Sequence, residues 1–311
     1  MAHTADRYKP YGKRLIDDIR HQPMIYLMAL PVIAFYIIFH YIPMYGVTMA
    51  FQDYSIHLGI MDSEWVGFEH FVSFFESYYF GTLLTNTLLI SLYDLIFGFP
   101  APLILALLIN ELSGTKFKKV VQTISYVPHF ISVVIICGII NLFTSSTGLF
   151  NDIVAFLGGE RSDMLSRPEL FRTIYTVSGI WQGVGFGSII YLAALSGVDP
   201  ELYDAARIDG AGRFRQTLSI TIPSILPTVT ILLILRVGSL LSVGYEKIIL
   251  LYNPITYSTA DVISSFVYRK GVLDASYSYS TAIGLFNSVI NFLLLVVANY
   301  VSRKISETSL W

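Results

Sequence analysis

Charge is what this sequence has least of. Only 14% of its 311 residues are Asp, Glu, Lys or Arg, where soluble domains carry about 25%. A water-soluble body of this size has too few polar side chains here to cover its surface. Hydrophobic residues make up 54%, and mean hydropathy is +0.62. Net charge is −2, from 20 bases against 22 acids, which excludes the broad positive field that nucleic acid requires. There is one cysteine, Cys137, so no disulfide forms within the chain. Sequence signatures of catalysis are missing too. No Gly-x-x-x-x-Gly-Lys-Ser/Thr loop occurs, since Gly12-Lys13 is followed by Arg14 and lacks the upstream glycine. HExxH, CxxC and Gly-x-Ser-x-Gly are absent as well. We expect no catalytic residue, no metal site and no cofactor in this chain.

What is present is apolar runs. A helix needs about 20 mostly apolar residues to cross the hydrocarbon core. Six runs meet that length: Met24–Tyr45, Leu83–Ile109, Val120–Phe143, Ile174–Leu195, Ile222–Val243 and Ala282–Val301. The expected class is an all-α integral membrane protein. The first run is too long for a secretory signal core and no Ala-x-Ala-like site follows it, so it reads as a retained anchor.

Lys and Arg set the orientation. Arg7, Lys9, Lys13, Arg14 and Arg20 precede the first run. Lys116, Lys118 and Lys119 lie between the second and third. Arg207, Arg213 and Arg215 lie between the fourth and fifth, and Arg303 and Lys304 follow the sixth. These thirteen face Arg161, Arg167, Lys247, Arg269 and Lys270 on the other side. Both termini are therefore expected in the cytoplasm. The outer loop Gly46–Thr82 has five acids, no Lys or Arg, and the aromatics Phe71, Phe74, Phe75, Tyr78, Tyr79 and Phe80. It reads as an interfacial helix or, alternatively, as a surface that stacks on substrate.

The most specific stretch follows the fourth run. It reads Asp199-Pro200-Glu201-Leu202-Tyr203-Asp204-Ala205-Ala206-Arg207-Ile208-Asp209-Gly210. Asp199 suits an N-cap, Pro200 the first helical position and Glu201 the first turn. Asp209-Gly210 marks a stop. The result is a helix of about two turns held between two spans, with Leu202, Ala205 and Ala206 on one face. Nine residues after Gly210 comes Ile220-Thr221-Ile222-Pro223.

This pattern resembles the EAA motif of ABC importer permeases: Glu-Ala-Ala, three residues, Gly, nine residues, Ile-x-Leu-Pro. Asp204 stands where Glu is usual and Ile222 where Leu is usual, with the spacing intact. Asn86-Thr87-Leu88, Ala106–Glu111, Gln122–Ser132, Gly271–Asp274 and Tyr279–Gly284 extend the likeness over residues 24–311. Together they are similar to the carbohydrate-uptake permeases of the maltose type, and more narrowly to the LplB-like polysaccharide and aldouronate group.

The resemblance implies a type I ABC importer permease fold with one extra N-terminal helix. It implies a cytoplasmic tail 1–23, a first helix 24–45, an extracytoplasmic loop 46–82, a permease core 83–301 and a C-terminal tail 302–311. Within the core, the loop 197–221 carries the coupling helix Pro200–Ile208. Function would run through 197–223, with Glu201, Tyr203, Asp204, Ala205, Ala206, Asp209, Gly210, Ile220 and Pro223 coupling to a separate ATPase. Implied partners are a second, homologous but non-identical permease, two cytoplasmic ATPase subunits that bind ATP and Mg, an extracytoplasmic sugar-binding protein, an oligosaccharide and the bilayer of a bacterial plasma membrane. Carried over from the maltose-type pattern, sugar contacts fall at His129, at Gln182, Gly183 and Phe186 after Trp181, and near Ser242.

The residues themselves add Ser239, Gly244 and Tyr245 as pathway candidates. Asp94 and Arg236 are charges inside spans and so functional candidates by default. Arg236 either faces sugar or pairs with Asp94. Gly183, Gly185 and Gly187 either give room to the pathway or permit close helix packing. Asn287 and Asn291, one turn apart, suggest a polar interhelical face. Other readings stay open: the same machine for a non-sugar solute, or a secondary transporter, which is expected to show repeat symmetry and several intramembrane acids.

Overall fold

The computed structural model describes residues 20–306 and 309. The tail bases Arg7, Lys9, Lys13 and Arg14 lie outside the described residues, as do 307, 308, 310 and 311. Among the described residues, six helices are long and apolar enough to cross a bilayer. They are α1 (Pro23–Phe51), α3 (Tyr79–Asn110), a kinked pair α5 (Val133–Thr144) and α6 (Leu149–Phe156), α7 (Pro168–Ser196), α9 (Arg213–Gly238) and α12 (Tyr277–Ser306). Between them lie α2 (Glu69–Glu76), α4 (Thr115–Tyr126), α8 (Pro200–Ile208), α10 (Tyr245–Leu251) and α11 (Ile263–Tyr268). A two-stranded antiparallel hairpin pairs Gln52–Asp53 with Glu64–Trp65.

Two apolar runs do not become the helices their composition suggests. Val120–Phe143 is not one span. Its first part belongs to α4, which carries Lys116, Lys118 and Lys119 in its first half. A 3-10 turn at Val127–Phe130 and extended backbone at Ile131 and Ser132 follow. Pro128 has no N–H to give an α-helical ladder and fits the tight turn. Ser132 then restarts the chain as the N-cap of α5, accepting from the Ile135 N–H at 3.4 Å. The expected fifth span, Ile222–Val243, stops early: α9 ends at Gly238, and Ser239–Gly244 is unwound.

In lipid, helices associate through close packing and hydrogen bonds rather than hydrophobic transfer. The glycines of α7 show the first device. A Cβ at Gly185 would stand 2.0 Å from the Ser125 carbonyl oxygen, so α4 lies directly on α7 there. At Gly187 it would stand 3.1 Å from Pro102 of α3, whereas Gly183 has no such neighbour and faces open space. The triplet therefore divides: two glycines pack and one leaves room. Phe74, Leu83, Ile263, Phe266 and Ile283 form one cluster that holds α2 and α11 on α3 and α12. Phe74 and Phe75 both pack edge-on against Phe286, but of the outer aromatic set only Phe74 is buried, while Phe75, Tyr78 and Tyr79 stay exposed. Ala106, Tyr191, Leu195 and Ile225 join α3, α7 and α9 toward the end that carries α8. By contrast, Pro23–Tyr36 of α1 has no buried residue.

Candidate substrate cavity and coupling helix

Two adjoining cavities lie within the bundle and share Asp94, Gly179, Arg236 and Ser239. The larger, about 480 Å³, extends between α3, α7 and α9 toward Tyr191. The smaller, about 240 Å³, is bounded by Ser91, Thr176 and Gln182, by the unwound segment at Ser242 and Gly244, and by Lys247 of α10.

The walls are built by interruptions in helices. Asp94 opens a π turn, Asp94–Gly98, in the middle of α3. A Cβ at Gly98 would come 2.2 Å from Asp94 Oδ1, so the glycine leaves the carboxylate its room. Arg236, in the last turn of α9, forms an ion pair with Asp94. The intramembrane charges are thus matched to one another, across two helices. The unwound Ser239–Gly244 segment is held by side chains from both neighbours. Ser91 Oγ of α3 donates to the Leu240 carbonyl. Asn291 of α12 accepts from the Leu241 N–H at 2.9 Å and donates to Ser242 Oγ at 3.0 Å. Irregular backbone at membrane depth is stable only when its polar groups are satisfied this way beside a cavity.

Lys247 is the residue that the sequence reading placed among outer-loop bases. It is 9% exposed and lines the smaller cavity. Its Nζ donates to the Tyr175 carbonyl at 3.2 Å and sits 4.9 Å from the Tyr175 ring centroid. No carboxylate pairs with it among the described residues. Burial pushes its ammonium down to about 8, a shift that the Cys137 thiol opposes. Next to it, Thr176 Oγ1 is buried with no hydrogen-bond partner.

The cavities gather Gln182, Gly183, Arg236, Ser239, Ser242 and Gly244. They do not gather His129, Phe186 or Tyr245. The His129 and Phe186 rings stack on one another at 4.0 Å on an exposed face of the bundle, and Tyr245 stacks on Tyr268 at 5.2 Å. Sequence reasoning missed Lys247, Thr176, Ser91 and Gly179. The available signal was a lysine in the otherwise apolar stretch Lys247–Leu251, where a solvated loop would carry more polar neighbours.

At one end of the bundle, α8 is closed at both termini. Asp199 accepts from the Glu201 N–H at 2.9 Å, and Pro200 takes the first position. At the other end the Ala211 N–H reaches the Ala206 carbonyl at 2.8 Å and Gly210 N–H the Arg207 carbonyl at 3.1 Å. This is the paired Schellman closure, with Gly210 at φ +74°. Glu201, Asp204, Ala205, Asp209 and Gly210 are exposed, while Tyr203 and Ala206 turn inward. Tyr203 hydroxyl meets Thr221 Oγ1 at 3.0 Å. Thr221 closes the π turn Thr217–Thr221, which contains Ile220 and runs into the Pro223 start of α9's regular helix. So α8 is fixed to the base of the helix that carries Arg236 near its other end. Leu202 and Ile208 remain exposed, Ile208 at 87%.

Comparison with known proteins agrees with this geometry. The family described as binding-protein-dependent transport system inner membrane component matches residues 92–307. Protein LplB of Bacillus subtilis is 45% identical over 94% of this chain and 92% of its own length. The polygalacturonan/rhamnogalacturonan transport system permease protein YteP of the same organism is 42% identical over 97% and 95%. A solved bacterial ABC transporter involved in importing the acidic polysaccharide alginate matches with TM-score 0.87 and 46% identity, over 94% of this chain and 99% of that one. A second structure of an alginate ABC transporter, in complex with an alginate pentasaccharide-bound periplasmic protein, matches with TM-score 0.88 over 96% and 100%.

Proposed function

We propose, from the premise that this chain belongs to the binding-protein-dependent transport system inner membrane components, that it is the permease subunit of an ATP-driven importer for acidic oligosaccharides. The single observation that carries the mechanical half is the fixed α8. It is a closed two-turn helix with exposed apolar side chains, joined through Tyr203 and Thr221 to α9. A separate ATPase that grips α8 would move α9, and with it the wall that holds Arg236. ATP and Mg would bind on that ATPase, and this chain supplies no hydrolytic group. The assembly would be a second, homologous permease, two ATPase subunits on the cytoplasmic side with both termini of this chain, and an extracytoplasmic binding protein. The switch between inward-facing and outward-facing states is then a rigid-body motion of packed helices. The cargo half is supported by what the similar proteins are named for, and by a cavity whose walls hold Arg236, Lys247 and one acid, Asp94.

The test is the reconstituted complex with its binding protein and uronate oligosaccharides, comparing wild type with Gly210→Val. A β-branched residue at φ +74° is strained by about 1–3 kcal/mol. Sugar-stimulated ATP hydrolysis is expected to collapse while the subunits still copurify. Stimulation that survives in the variant, or sugar uptake by wild type with no ATPase present, defeats the reading.

A further inference from the structure

We propose that Lys247 selects the cargo by binding a sugar carboxylate in the smaller cavity, an assignment that rests on the oligosaccharide-importer reading above. A lysine ammonium has three N–H donors. One is used, on the Tyr175 carbonyl at 3.2 Å. The Tyr175 ring, 4.9 Å away, offsets part of the cost of burying the charge. Two donors remain with no acceptor among the described residues, beside a space of about 240 Å³.

The comparison inside the same cavity is informative. Arg236 has a carboxylate, Asp94, from its neighbouring helix. Lys247 has none from α3, α5, α7 or α12, although a charge buried without a partner is costly and is normally matched. Thr176, one residue beyond Tyr175, lines the same space, and its buried Oγ1 has no hydrogen-bond partner. Gly179, one turn further along α7, faces the ammonium: a Cβ there would lie in van der Waals contact with Lys247 Nζ at 3.5 Å. A carboxylate carries the charge that complements this ammonium, and a uronate sugar supplies one. A neutral sugar would leave the ammonium with nothing but the groups it already has.

The experiment compares uronate oligosaccharides with the same oligosaccharides after chemical reduction of their carboxyl groups, in the full reconstituted complex. Wild type, Lys247→Met and Lys247→Arg are measured for uptake and for stimulated ATP hydrolysis. Charge-assisted hydrogen bonds to a carboxylate lead us to expect Lys247→Met to raise the KM for the uronate roughly 10- to 100-fold. The carboxyl-reduced sugar should be handled by Lys247→Met as well as by wild type or better, and Lys247→Arg should recover most of the uronate uptake. Equal loss for both sugars in Lys247→Met overturns the assignment, because it marks a purely structural lysine. So does unchanged uronate uptake in Lys247→Met. If the uronate fails to stimulate wild type at all, the cargo reading falls first and the Lys247 assignment falls with it.

Discussion

Two short helices that do not cross the membrane, α8 and α10, have almost opposite designs. α8 is capped by its own flanking residues, presents Leu202 and Ile208 to the outside and makes its bundle contact through Tyr203. α10 has no side-chain cap, buries Ile248 and Leu251 against α5, and carries Lys247 inward. α8 is specified locally by its own caps, so its shape does not depend on what it docks against. α10 is specified by what surrounds it, so it holds a charge at a fixed place beside a cavity. On the proposed function, the difference separates the part that would transmit force from the part that would meet the cargo.

The largest expected effects come from breaking the cavity side of that contrast. Asp94→Ala leaves Arg236 without its carboxylate and cuts the tie between α3 and α9. Removing one partner of a buried pair costs about 3–5 kcal/mol; because the Arg236 side chain is 49% exposed, about half of that is expected. Thermal unfolding of the purified complex should show it, and adding Arg236→Met should restore most of the loss. A double variant no more stable than Asp94→Ala alone would mean that the pair contributes nothing as a pair. Next comes Tyr203→Phe, which removes only the hydroxyl that meets Thr221. It should cost about 1 kcal/mol, read as a lower ratio of sugar-stimulated to basal ATP hydrolysis with normal assembly. An unchanged ratio would move the link between α8 and α9 elsewhere.

How much of this was legible beforehand follows the same division. Asp199, Pro200 and Gly210 act on their immediate neighbours, so the sequence alone delimits α8, and the fixed spacing to Pro223 points to its role. The helices α3, α7 and α12 are likewise visible as apolar runs. The break at Val127–Ser132 was not read from hydropathy, because an apolar average does not register one proline that removes one N–H. The early end of α9 was hidden for a different reason. Ser239–Gly244 unwinds because Ser91 and Asn291, distant in sequence, satisfy its backbone. Lys247 could be seen in the chain but not located, since its burial depends on α5, α7 and α10 meeting around Cys137 and Tyr175. His129 and Phe186 come to the set of sugar contacts through resemblance, and their rings stack on each other outside the two cavities.

The smallest expected effect sharpens the contrast through pH. Lys247 ordinarily titrates near 10.5, and burial brings it to about 8. It is therefore mostly charged at pH 7 and mostly neutral at pH 9. The groups around it are Cys137 on α5, Tyr175 on α7, and the Asp94–Arg236 pair across the cavity. Losing the proton removes the charge that holds a carboxylate, so the KM for a uronate oligosaccharide should rise several-fold between pH 7 and 9, because at one unit above its pKa about one-tenth of a base stays protonated. The sign for stability is the reverse. A base whose folded value lies below its unfolded value opposes folding while it is charged, so this site's penalty is full below about 8 and fades as pH rises from there toward 10.5. Lys247→Arg keeps its charge across the range and should show a flat profile for the uronate. A wild-type KM that is equally flat would separate Lys247 from the cargo, while leaving the account of α8 as it stands.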